Sequence, residues 1–90
     1  DFSVWNAGTV PEALQDRPRY DHNPEFVLVR ASAEEMLELG RIMARKLNAA
    51  RGPVRVLVPT LGFSIPNAPG GVFWNPEADA GFLGELRAEL

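Results

Sequence analysis

Phe26-Val27-Leu28-Val29-Arg30-Ala31-Ser32-Ala33-Glu34-Glu35, with Val54-Arg55-Val56-Leu57-Val58 further along, decides how the fold is read from the sequence. Phe26 to Val29 is a short run with apolar residues on both faces, as expected of a strand covered on both sides. Ser32-Ala33-Glu34-Glu35 matches the capping box, in which the Ser hydroxyl accepts from a first-turn N–H and Glu35 reaches back. Met36, Leu39, Gly40, Met43 and Leu47 then recur at helical spacing and draw one apolar stripe. Arg41, Arg45 and Lys46 place positive charge in the later turns, which suits the helix dipole. Gly52-Pro53 ends the helix. Val54 to Val58 reads as the strongest strand of the chain. Strand, helix and strand in this order form a βαβ unit, so strands over 26–30 and 54–59 are expected to run parallel with a right-handed crossover.

Working outward, Phe2 to Trp5 has the aromatic and β-branched character of another short strand. Asn6 to Glu25 is a long loop broken by Pro11, Pro18 and Pro24. Within it, Pro11-Glu12-Ala13-Leu14 can form one helical turn with Thr9 as a cap. Pro59 to Trp74 is a second long loop, rich in Gly and Pro. Asn75-Pro76-Glu77 supplies an N-cap, a first-position Pro and a first-turn acid. Ala78, Phe82, Leu83, Leu86 and Leu90 form the stripe of a closing helix. The expected class is therefore α/β, a fragment of a parallel, Rossmann-like three-layer sheet in the order β, loop, β, α, β, loop, α. Residues 1–90 read as a single partial domain. Three buried strands need more cover than two helices provide. The rest of a parent chain, or another copy in a homo-oligomer, is expected to supply it. The opening on Asp1-Phe2-Ser3-Val4-Trp5 and the stop at Glu89-Leu90 read in the same way, as severed ends.

Composition narrows the function classes. At 90 residues with 46% hydrophobic and 23% charged, the chain is globular and small. A net charge of −3 argues against a nucleic-acid platform, which carries a basic face. The absence of cysteine removes disulfides, thiolate catalysis and Cys-ligated zinc. No apolar run approaches a membrane span and no signal-peptide plan opens the chain, so a cytoplasmic location without membrane contact is expected.

Parallel α/β sheets bind ligands outside the carboxyl ends of their strands, which directs attention to the two long loops. His22, between Asp21 and Asn23, has the neighbours of a general base, although Asp-His-Asn-Pro reads equally as a turn. A metal site is not expected from one His without Cys. Ser64 in Leu61-Gly62-Phe63-Ser64-Ile65-Pro66 fails the nucleophile-elbow pattern, because Pro66 stands where Gly is required. Gly70-Gly71 could offer backbone N–H groups to an anion or could simply turn the chain. Arg30, at a strand end, could hold anionic charge or make an ion pair. Glu77 and Asp79 read as acids that compensate the helix dipole.

Arg19-Tyr20-Asp21-His22-Asn23-Pro24, Val27 to Glu35, Lys46-Leu47-Asn48, Gly52-Pro53-Val54, Pro59 to Ser64, Ala68 to Phe73 and Asn75 to Asp79 together carry a resemblance over nearly the whole chain. In these the sequence resembles the family that includes the tomato mosaic virus resistance protein of tomato and many bacterial relatives. The resemblance implies a protein of two α/β subdomains, with this chain in the later part of the second. It also implies ATP binding in the full-length protein, mainly through the first subdomain, with no ATP held by this piece alone. The plant member is described as blocking viral RNA replication, and no catalytic role is settled for the bacterial ones. Asn67 and Asn75 stand where relatives often carry Asp, which puts any cation-binding or base role there in doubt.

Two function classes follow. In the first, His22, Asn23, Arg30, Ser64, Gly70 and Gly71 line one wall of a ligand or nucleotide cleft between subdomains, and the two long loops meet at one edge of the sheet. In the second, the domain is a structural or oligomerisation module whose anchors are Phe63, Phe73 and Trp74. Hydrolase or lyase chemistry with His22 as base is a third and weaker class.

Overall fold

Asn23 sets the topology through local chemistry. Its Oδ1 accepts hydrogen bonds from the amides of Glu25 at 2.9 Å and Phe26 at 2.8 Å, an Asx turn that folds the chain back on itself. The structure, a computed structural model describing residues 1–90, accordingly has a hairpin here. Strand β2 (Arg19–Asp21) runs antiparallel to β3 (Phe26–Arg30). Strand β1 (Phe2–Asn6) pairs antiparallel on the other side, with Phe2 opposite Arg30 and Asn6 opposite Phe26. The sheet order is β1-β3-β2.

This corrects the expected parallel, Rossmann-like sheet. Both edges of β3 are occupied by antiparallel neighbours, so none is left on that strand for the parallel pairing expected of Val54–Val58. That segment is in no strand, and Val54, Val56 and Leu57 are exposed, Leu57 at 98%. Its β-branched composition favours a pleated surface, but a strand also needs a partner. The order is therefore β, a 3₁₀ turn, β, β, α, a long irregular segment, α. The 3₁₀ turn spans Glu12–Leu14, as the prolines of this loop suggested, but Pro11 precedes it and Thr9 bonds instead to the Asn6 carbonyl.

The helices form where their end signals stand. Helix α1 (Ala33–Asn48) has the full capping box, with Ser32 Oγ accepting from Glu35 N and Glu35 Oε1 accepting from Ser32 N. Helix α2 (Pro76–Glu89) starts at Pro76, and Asn75 Oδ1 accepts from Ala78 N at 3.2 Å. The two helices run in the same direction, since Leu37 meets Gly81, Arg41 bonds Glu85 and Asn48 bonds the Glu89 carbonyl. Gly40 lies at their closest approach. A Cβ there would stand 2.5 Å from the Phe82 carbonyl oxygen and 3.1 Å from Leu86 N.

The core is a thin layer between sheet and helices. Val27, Val29, Met36, Ala44, Phe73 and Leu86 are among its buried apolar members. Phe73 reaches it from the long loop, its ring 6.0 Å from Phe2 and 6.5 Å from Tyr20. In the α1 stripe Met36 and Gly40 are buried, but Leu39 and Met43 are 42% and 43% exposed. The chain exposes 6348 Å², whereas a folded monomer of this size exposes about 5,200 Å². Its radius of gyration of 14.4 Å likewise exceeds the roughly 12 Å expected for the length.

Two substitutions read this packing directly. Gly40→Ala should force the helices apart against backbone atoms and destabilise by about 1–3 kcal/mol in urea unfolding. Gly84→Ala, where nothing lies within 4 Å of the added Cβ, should stabilise by about 0.5–1 kcal/mol through helix propensity.

Candidate functional site

The only strongly polar part of the interior is built from three segments that are distant in sequence. Arg30 ends β3 and is 3% exposed. Its Nη2 donates to Asp79 Oδ1 at 2.7 Å, and its Nη1 donates to the Asp1 carbonyl at 3.1 Å. Asp79 sits in the first turn of α2 and takes a second bond, from Asn67 Nδ2 at 3.0 Å. Asn67 belongs to the loop between Pro59 and Trp74 and is fully buried. Sheet, loop and helix are thus joined through one carboxylate.

Ser64 extends the cluster towards the surface. Its hydroxyl donates to Asp1 Oδ2 at 2.7 Å and accepts from Asn67 N at 3.3 Å. The hydroxyl faces a carboxylate rather than an imidazole, so no nucleophile–base pair of the serine-hydrolase kind is assembled here.

The loop that carries Ser64 and Asn67 is wound tightly around its glycines. Gly62 has φ of 105°, and a Cβ there would fall 1.7 Å from the Asn67 carbonyl oxygen. A Cβ on Gly71 would fall 2.1 Å from the Pro66 carbonyl oxygen. The Gly71 amide donates to the Ala68 carbonyl at 2.8 Å and the Phe73 amide to the Pro66 carbonyl at 2.8 Å. Gly70-Gly71 therefore turns the chain and delivers Phe73 to the core, with the Gly71 N–H already used.

Of the six residues singled out as cleft-lining, Arg30 and Ser64 fall in this cluster and Gly70 and Gly71 in its loop. His22 and Asn23 are in the β2–β3 turn at the other end of β3, some 13 Å away along the strand. His22 is exposed and shares a shallow apolar depression with Val4, Phe26 and Leu28. The first long loop is divided accordingly. Ala7 bonds Glu25 at the His22 end, while the Pro18 carbonyl accepts from Arg30 N at the other. Of the three aromatic anchors, Phe73 packs within the chain, Phe63 stacks edge-on against Phe82 at 5.9 Å, and Trp74 is 37% exposed. The sequence reading did not single out Asp1 and gave Asp79 only a dipole role. No local spacing signals either, because their partners are brought in by the fold.

Two buried polar atoms in the cluster have no hydrogen-bond partner, Arg30 Nε and Asn67 Oδ1. One can donate and the other accept. A second electrostatic node lies outside, where Arg17 pairs with Glu35 and also reaches the Arg30 carbonyl. The bond from Ser32 N, and then Arg17, hold the Glu35 carboxyl below its ordinary value. No group of three or more His, Asp or Glu side chains is arranged to hold a metal ion, and no helix is long and apolar enough to cross a membrane.

Comparison with known proteins gives a consistent set of relatives. Residues 2–90 match the family model described as the C-terminal domain of uncharacterised protein family UPF0261. A UPF0261 protein of Rhizobium meliloti is 42% identical over 88 residues, which is 98% of this chain and 22% of the relative. One from Mesorhizobium japonicum is 41% identical over 78 residues, 87% of this chain and 20% of the relative. The ToMV resistance protein Tm-1(GCR237) of Solanum lycopersicum is 35% identical over 82 residues, 91% of this chain and 11% of that protein. The chain thus spans about a fifth of the bacterial relatives and less of the plant one.

Breaking the central pair should be costly. Asp79→Asn leaves the Arg30 charge buried without its counterion and should destabilise by about 3–5 kcal/mol in urea unfolding, whereas joint replacement by Arg30→Met and Asp79→Leu should recover most of the loss. The outer node should make stability sensitive to acid. Folding lowers the proton affinity of Glu35, so its contribution is present at neutral pH and is lost as pH falls below its ordinary value of 4.5. The melting temperature of Glu35→Gln should accordingly fall less on acidification than that of the wild type.

Proposed function

The chain belongs to the C-terminal domain family of the UPF0261 proteins, and from that premise we propose that it forms one wall of a binding cleft for a small polar ligand. The opposite wall comes from the remainder of the longer protein. The observation that carries this reading is the pair of unpartnered buried atoms, Arg30 Nε and Asn67 Oδ1. Native interiors leave few such atoms unsatisfied, and those that exist call for a water, an ion or a ligand. Arg30 Nε can donate to an acceptor on a ligand, and Asn67 Oδ1 can accept from a donor on one.

Ser64 and the Asp1 carboxylate form the outer part of the same cluster, and the Gly62–Gly71 loop holds the backbone close behind it. The donors favour an acceptor-rich ligand, for which a nucleotide or another phosphate is a chemically reasonable class. The role is binding and orientation, since no residue of the cluster has an acid–base partner suited to proton transfer. His22 and Asn23, at the far end of β3, belong to this wall only if the ligand is extended along the sheet.

A thermal-shift series on the full-length protein tests the reading, using ATP, ADP and inorganic phosphate with and without Mg²⁺. A ligand present at a hundred times its dissociation constant stabilises by about 2.7 kcal/mol. The expected result is a rise in melting temperature with at least one of these probes, reduced in Ser64→Ala. A flat response to all probes, or a rise that Ser64→Ala leaves intact, would contradict the assignment.

A further inference from the structure

Part of the exposed apolar surface is gathered in one place, where Leu39, Met43, Val56 and Leu57 meet. A trough of about 690 Å³ runs between the helices and the strandless segment, lined by Leu39, Met43 and Leu47 of α1, Phe82 and Leu83 of α2 and Leu57 opposite them. Thirteen of its sixteen lining residues are hydrophobic, so a polar ligand would leave most of the wall unmatched. Leu57, one of the lining residues, is 98% exposed. Contiguous apolar patches of this kind mark interaction surfaces.

We propose that this trough is the seat of another part of the same polypeptide, the region that precedes the C-terminal domain in UPF0261 proteins. Three observations favour this occupant. The chain corresponds to only 22% of a relative that it matches along almost its whole length, and the matching family model is a C-terminal domain, so the relatives possess ample polypeptide ahead of it. Asp1 and Phe2 are among the residues that line the trough, so in a longer polypeptide the residues joined ahead of β1 would start beside it. The chain as a whole exposes about 1,100 Å² more than an ordinary monomer of its size, and the exposed side chains of the trough contribute to that excess. A second copy related by a two-fold axis would set trough against trough, and two concave faces leave the space between them empty. The occupant must present a convex apolar ridge, while Lys46 at the rim suits an acidic residue on its flank.

The chain has no cysteine, so a thiol can report on each position in the full-length protein. Leu57→Cys and Met43→Cys, made separately, are compared with Glu34→Cys, which lies on the exposed outer face of α1. Maleimide labelling is read at each peptide by mass spectrometry, alongside the mass of the particle by sedimentation. The expected result is labelling of both trough cysteines on the order of 100-fold slower than Glu34→Cys, as only transient opening would admit the reagent. The protection should persist on dilution and vanish in urea. Labelling of both at the rate of Glu34→Cys would overturn the proposal, as would protection that disappears as a dimer dissociates. The two positions belong to different segments, Met43 to α1 and Leu57 to the strandless segment, so a folding defect in one variant leaves the other to decide. This outcome is independent of whether the polar cluster binds a ligand.

Discussion

The interaction on which the arrangement depends is the buried contact between Arg30 and Asp79 at 2.7 Å. Arg30 stands at the end of the central strand, Asp79 in the first turn of α2, and Asn67 binds the second carboxylate oxygen from the loop. Removing charges from water costs several kcal/mol per ion, which a close pair offsets only when its remaining donors and acceptors are used. Here the Asp1 carbonyl takes one guanidinium N–H and Asn67 the second carboxylate oxygen, while Arg30 Nε has no partner. The pair therefore acts mainly by excluding alternatives, since moving strand, loop or helix would leave a charge stranded.

Around that contact the apolar packing is one-sided. Phe73 closes the sheet face against Phe2 and Tyr20, and Gly40 lets two parallel helices touch backbone to backbone. On the other side Leu39, Met43, Val56 and Leu57 stay exposed. A polar cluster with unpartnered atoms and an apolar trough adjoin at Asp1, which bonds Ser64 in the first and lines the second. Under the proposals above, both features have the same neighbour. On that reading one placement of the longer polypeptide would cover the trough and supply the proposed second wall.

What could be read from the sequence was the local chemistry. Ser32 with Glu35, and Asn75 with Pro76, marked helix starts because their hydrogen bonds close within one turn. Phe26 to Arg30 was legible as a buried strand from its apolar run. Pairing was not, since a run such as Val54 to Val58 declares a preference and says nothing about a partner. The βαβ pattern suggested a parallel neighbour for β3, while the decisive signal was the Asx turn at Asn23 that pairs β3 with the short, exposed β2. The buried polar cluster followed the same rule. Arg30 and Ser64 were visible by position, whereas Asp1 and Asp79 acquire their roles only when β1 and α2 converge on Arg30.

Hydrogen exchange tests most directly whether the Arg30–Asp79 contact holds the loop in place. The amides to follow are those of Asn67, Gly71 and Phe73, bonded within the loop, with the α1 interior as reference. In Arg30→Met the account predicts that these three amides lose protection together with the first turn of α2, while α1 retains its own. Loop amides as protected as in the wild type would contradict it and assign the loop's order to Phe73 and the glycine turns alone.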